Sequence, residues 1–259
     1  MSSFIPPNPR DAKNRQVMRT WHSAPISLLL AIICMITAFR SHVGDDPKPV
    51  DFLFFESQTE QQELSDQYSA VYERWENVLA NESEINAETI DQLENQLAQI
   101  NAQMAQNQKK GDRFRDIKKG EVWRLFTPMF LHFGPMHIAF NLYWLWSLGA
   151  LIEIRYRSAR YLLLVLGLAM FSNIPQALFS GTNFGGMSGV NYGLFGFMLL
   201  NQKYHPTPSF RLDKHTIFMM IAWLVICFLG GANSGIANWA HGFGFLGGAG
   251  VGFTIAMMA

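Results

Sequence analysis

Charge is what this sequence has least of. Only 15% of its 259 residues are charged against 49% hydrophobic, and lysine plus arginine balance aspartate plus glutamate at 20 each. A net charge of zero argues against a nucleic-acid partner, for which a basic surface would be wanted. Cysteine is almost absent too. Cys34 and Cys227 both sit in apolar runs, too few for a disulfide framework, and read as small apolar packing groups. No His, Cys or carboxylate cluster has metal-ligand spacing, so neither a metal nor another cofactor is expected. An internal repeat is missing as well, which disfavours a small transporter or channel built from repeated halves.

The charges that exist are unevenly spread. Eleven of the 20 acidic residues lie between Glu56 and Glu94, whereas Ala159–Gly185 contains a single charge, Arg160. A membrane-crossing helix needs about 20 mostly apolar residues. The candidates are Ala24–Phe39, Met136–Ile154, Tyr161–Phe179, Ser188–Leu200, Thr216–Leu229 and Trp239–Met258, of which the first, fourth and fifth are short. Irregular backbone at membrane depth survives only inside protein or beside a water-filled cavity. Gly181–Met187 is therefore expected to dip inward and meet a short helix that starts at Ser188, with a wet pocket at the junction.

Basic residues flank alternate connections. Arg10, Lys13, Arg15 and Arg19 precede the first span; Arg155, Arg157 and Arg160 follow the second; Lys203, Arg211 and Lys214 follow the fourth. The opposite connections, Ser180–Met187 and Gly230–Asn238, carry no charge. The positive-inside rule then puts the N terminus in the cytoplasm, and six spans return the C terminus there. A cleaved signal peptide is the alternative for the first span, although Thr37-Ala38-Phe39-Arg40 makes a poor cleavage site.

The expected division is a cytoplasmic segment over 1–22, a first transmembrane helix over 23–42, an extracytoplasmic loop over 43–119 and the remaining spans over 120–259. Within the loop, Leu64, Tyr68, Val71, Trp75 and Val78 recur at helical spacing, as do Ile90, Leu93, Leu97, Ile100 and Met104. These two stripes predict an antiparallel helical hairpin, with Asn86 as a cap for the second helix. Its role is either recruitment of substrate or self-association, or a passive acidic insertion, the simpler reading. The sequon Asn81-Glu82-Ser83 matters only in a host that glycosylates secreted proteins.

Polar residues inside apolar spans are costly and mark function. Ser188, in Gly185-Gly186-Met187-Ser188-Gly189-Val190, and His241, in a glycine-rich stretch, form a candidate nucleophile and base. His137 and Asn141 stand four residues apart, on one face of a helix, and could donate to a developing oxyanion. A free backbone N–H at the start of the Ser188 helix is a further donor. Gly189 and Gly193 make one small-residue row; Ala240, Gly244, Gly248 and Gly252 make another, and such rows let helices approach closely. Tyr192 is expected to lie against the His241 ring. No acidic residue neighbours His241, so a dyad rather than a triad is expected. The soluble G-x-S-x-G elbow does not apply, because position 190 is valine. The bland alternative is a serine bonded to its own helix and a histidine that only bridges spans.

Gly186-Met187-Ser188-Gly189 with Tyr192 and Gly193, His137-x-x-x-Asn141, Ala240-His241 with its glycine row, and Trp123-Arg124 together resemble the rhomboid intramembrane serine proteases, from about Glu121 onward. The resemblance implies an all-α, six-transmembrane-helix bundle of the bacterial type in the plasma (inner) membrane. It implies Ser188 as nucleophile, His241 as base, and His137, Asn141 and the Ser188 amide as oxyanion hole. Tyr192, Gly186, Trp123 and Arg124 become supporting residues, and His132 and Glu153 match structural positions. The substrates implied are single-span or other transmembrane proteins within the lipid bilayer. The oligomeric state is not implied. A non-catalytic rhomboid-like protein that binds transmembrane segments is the rival, and such relatives usually lack the Ser or the His.

Overall fold

A computed structural model describes residues 23–80, 87–109, 113–206, 210–230 and 235–258. The basic leader through Arg19, the Asn81 sequon, the Asn86 cap and residues 231–234 of the uncharged loop lie outside the described residues. The architecture is all-helical, with no strand among the described residues.

The helices are α1 (Pro25–Arg40), α2 (Thr59–Ala80), α3 (Ala87–Lys109), α4 (Arg115–Lys118), α5 (Pro135–Trp144), α6 (Ala150–Tyr156), α7 (Ser158–Ser180), α8 (Ser188–Tyr204), α9 (Lys214–Leu229) and α10 (Asn238–Met258). α7 and α10, at 23 and 21 residues, are long and apolar enough to cross a membrane; α1 and α9 are apolar but shorter. The stretch expected as one uninterrupted second span is α5 and α6 joined through a π-helical turn at Leu145–Gly149. Such a turn holds one extra residue and displaces the side chains on either side of it. Hydrophobic periodicity cannot register it.

α8 is the axis of the bundle. Every residue from Gly189 to Met198 is buried, because α7 covers one side and α10 another. The α8–α10 contact is close enough that backbones touch. A Cβ at Gly252 would stop 2.8 Å from the Phe197 Cα, and one at Gly248 would stop 2.8 Å from the Gly193 Cα. The two small-residue rows therefore face each other. α9 lies at the rim, burying only Met220 and Cys227. Phe218, Trp223, Phe228 and Leu229 on α9, like Leu29, Ile36 and Phe39 on α1, are exposed. An apolar belt of that extent suits lipid contact, not water.

α1 has no local cap. Its first amides are held from 127 and 126 residues away: the Glu153 carboxylate accepts from Ile26 N and Ser27 N, both at 2.8 Å, and from Ser27 Oγ at 2.8 Å. Ser158 Oγ completes the shell at 2.7 Å, with Glu153 only 1% exposed. A negative group at a helix N-terminus satisfies its orphan donors and its dipole together.

The long loop has two parts. The stripe-bearing helices α2 and α3 pack on each other as the periodicity predicts, burying Leu64, Val78 and Leu93. The flanks, Ser41–Ser57 and Arg113–Gly134, are short turns packed onto the bundle. Val50, Leu53 and Phe54 cluster with Leu131, and Phe55 with Ala177 and Phe184. Both feet of the hairpin are tied there. Asp116 accepts from Ser57 N at 3.0 Å, and Glu56 accepts from Thr182 Oγ1 at 3.0 Å. Arg113 donates to the carbonyls of Ala177 and Leu178 at the end of α7.

Candidate active site

Ser188 is the first residue of α8, so its side chain and amide stand at the mouth of the helix. The preceding Gly186 has φ of 120°, a conformation open to glycine, and its N–H donates to Pro128 O at 3.0 Å. A Cβ at Gly186 would lie 2.7 Å from His137 Nε2, so only glycine lets the imidazole approach this backbone.

His241 lies one turn into α10, buried to 4% exposure. Its Nε2 is 2.8 Å from Ser188 Oγ. The hydroxyl and imidazole thus meet across the α8–α10 contact that the glycines allow. His241 Nδ1 is buried with no hydrogen-bond partner among the described residues, so no carboxylate backs the ring. The Tyr192 ring lies 4.9 Å from the imidazole at 41°, and its hydroxyl donates to Met220 O on α9 at 3.3 Å.

His137 accepts from Phe133 N at its Nδ1, at 3.2 Å. In the neutral ring that leaves the proton on Nε2, the nitrogen that faces Gly186. A donor is therefore aimed at the turn before Ser188. The Asn141 amide lies beside it. Its Nδ2 donates to His137 O at 3.0 Å and is 3.6 Å from the Cβ position of Gly186. His137, Asn141, Gly186, Ser188, Tyr192 and His241 converge on one locus.

Trp123 and Arg124 do not touch it. Trp123 Nε1 donates to Phe52 O at 3.1 Å. The buried Arg124 guanidinium donates to Asp51 O and Phe54 O, both at 2.8 Å, and to Glu121 at 2.6 Å. The pair fastens the Lys48–Leu53 turn to the Val122–Leu125 turn. His132 Nδ1 lies 3.1 Å from Phe130 O and holds its own loop. Among the described residues no group of three His, Cys, Asp or Glu could hold a metal ion.

Two polar residues near the site were not singled out from the sequence. Gln176, on α7, accepts from Ala240 N at 3.1 Å and so anchors the start of α10 beside His241. Asn191, on α8, donates to Asn141. Both interrupt apolar runs, the signal that picked out His137 and Asn141.

Residues 119–258 match the Rhomboid domain family, more than half of the chain. The chain belongs to the rhomboid family, and with it to the integral membrane proteins. Its similar relatives include proteins called Rhomboid protease GlpG from Salmonella paratyphi A, Salmonella choleraesuis and Salmonella newport. Each is 36% identical over 146 residues, covering 56% of this chain and 53% of the relative. The chain thus spans about half the length of the curated relatives it matches.

Proposed function

We propose that this protein is an intramembrane serine endopeptidase that cuts transmembrane segments of other membrane proteins with a Ser188–His241 dyad. The observation that carries the reading is the 2.8 Å contact between Ser188 Oγ and His241 Nε2. Family membership, and relatives that bear the name protease, support it. His241 takes the Ser188 proton as Oγ attacks the scissile carbonyl. His137 Nε2, the Asn141 amide and the Ser188 backbone N–H then stabilise the tetrahedral oxyanion. His241 returns the proton to the leaving amine, and water cleaves the acyl-enzyme. No metal or organic cofactor enters this scheme. Tyr192 restrains the imidazole, and Gly186, Trp123 and Arg124 shape the loops around it.

The proposed setting is a prokaryotic inner membrane, crossed six times, with both termini cytoplasmic and the α2–α3 hairpin outside. The exposed Arg155, Arg157 and Arg160 at one connection, and Lys203, Arg211 and Lys214 at another, support that orientation. Substrate enters sideways past α9, whose attachment through two buried residues is thin. Crosslinking the second span to α9 without loss of turnover would count against this route.

The test is incubation of the purified protein with single-span substrates in detergent or liposomes, with fragments identified by mass spectrometry. Cleavage and fluorophosphonate labelling are expected in the native protein and absent from Ser188→Ala. Cleavage by Ser188→Ala would overturn the reading. Substrate capture without cleavage by the native protein would favour a non-catalytic binder of transmembrane segments.

A further inference from the structure

Asn191 has no part in the reaction as written, yet it is only 2% exposed and three residues beyond Ser188. Every other residue from Gly189 to Met198 is glycine, apolar or aromatic. A buried amide in such surroundings is costly unless its bonds are satisfied. Its Oδ1 has no partner among the described residues. Whatever the side chain contributes comes from its donor end.

That end makes two contacts, and both are with Asn141. Asn191 Nδ2 is 3.0 Å from the Asn141 backbone carbonyl and 3.2 Å from the Asn141 side-chain oxygen. A backbone carbonyl can only accept, so the group facing it must be NH2. The same NH2 cannot face another NH2, so the near atom of the Asn141 amide must be Oδ1. The far atom is then Nδ2, which donates to His137 O at 3.0 Å, again a group that only accepts. Two backbone carbonyls thus settle both amide orientations with no free choice.

We infer that Asn191 is a positioning residue that holds the Asn141 amide with its NH2 turned toward Gly186 and Ser188. Asparagine χ2 is a broad, roughly two-fold torsion, and the flipped amide would present an oxygen to an oxyanion. Asn191 grips the oxygen from behind and removes that state. The His137 carbonyl holds one N–H from the other side and leaves the second N–H for the oxyanion. The catalytic consequence rests on the protease reading, whereas the amide orientation does not.

The experiment combines kinetics with a readout that needs no turnover. Asn191→Leu keeps the shape and removes the donor. In the native background it is expected to lower kcat about tenfold with KM unchanged, the effect of one lost hydrogen bond. In an Asn141→Ala background the same change is expected to matter less than about twofold, because nothing remains to be oriented. In parallel, exchange of the Asn141 side-chain NH2 protons is followed by NMR in detergent, and is expected to speed up in Asn191→Leu. Equal losses in both backgrounds, no loss in a folded Asn191→Leu protein, or unchanged exchange would each overturn the inference. If Ser188→Ala behaves as the native protein does, the protease reading falls instead, and the exchange measurement still decides the orientation.

Discussion

Gly244→Ala isolates the geometry on which the proposed Ser188–His241 dyad depends. Gly244 lies three residues beyond His241 on α10, against Gly189, the neighbour of Ser188 on α8. A methyl group there would overlap the Gly189 carbonyl oxygen and stop 2.9 Å from its carbon. Comfortable carbon contacts begin near 3.5 Å, so the two helices must part by about 1 Å to admit it. The obstacle is backbone on both sides, with no flexible side chain to swing away. The Ser188–His241 contact of 2.8 Å spans the same interface within one turn. Adding about 1 Å takes it past the ~3.5 Å limit of a useful hydrogen bond. Misplacement of that size costs on the order of 10²-fold in rate. Fluorophosphonate labelling and substrate cleavage are expected to fall together by about that factor, while the protein stays folded in detergent. Gly250→Ala is the control, since its Cβ would meet nothing within 4 Å. Activity within a few-fold of native in a folded Gly244→Ala protein would refute the claim that backbone contact sets the dyad distance.

Two further outcomes follow from the supports of the site. Glu153→Gln replaces the acceptor of four hydrogen bonds with a group that can serve only some of them, and α1 should lose its anchor. A loss of about 3 kcal/mol is expected in equilibrium unfolding from mild detergent, and a loss under about 0.5 would show that α1 is held by packing alone. Asp116 should make the hairpin feet acid-sensitive. Burial pushes its carboxyl upward, but the Ser57 N–H, Lys119 and Arg115 outweigh that and hold it below the ordinary range. Its stabilisation is therefore complete above the unfolded value of about 3.9 and is lost as pH falls through the lower folded value. Hydrogen exchange of residues 51–58 and 113–119 should rise below about pH 4 in the native protein and lose that step in Asp116→Asn. A native protein with no such step would show that these contacts do not hold the feet.

Much of this was readable from residues because a bilayer imposes a strict grammar. Apolar length marked the helices, with ends within a few residues of those observed at α7, α8, α9 and α10. Polar residues inside apolar runs marked Ser188, His241, His137 and Asn141 as candidates, because such positions are costly for a polar side chain. The narrow stripes of Leu64–Val78 and Ile90–Met104 announced two helices of a hairpin. Asn191 and Gln176 carry the same signal, but their partners, Asn141 and the Ala240 amide, lie on other helices, which no local pattern displays.

Sequence alone determined which segments are helical, which faces are apolar, and which few side chains pay a penalty for their position. Those properties follow from the nature and spacing of neighbouring residues, and spacing is written along the chain. The tertiary structure decided which groups meet: Glu153 with the start of α1, Asn191 with Asn141, Asp116 with Ser57, and the Ser188 hydroxyl with the His241 imidazole at 2.8 Å. Helical periodicity assigns a residue to a face but does not name the helix opposite. Partner and distance emerge only when backbones pack as closely as the glycines of α8 and α10 permit.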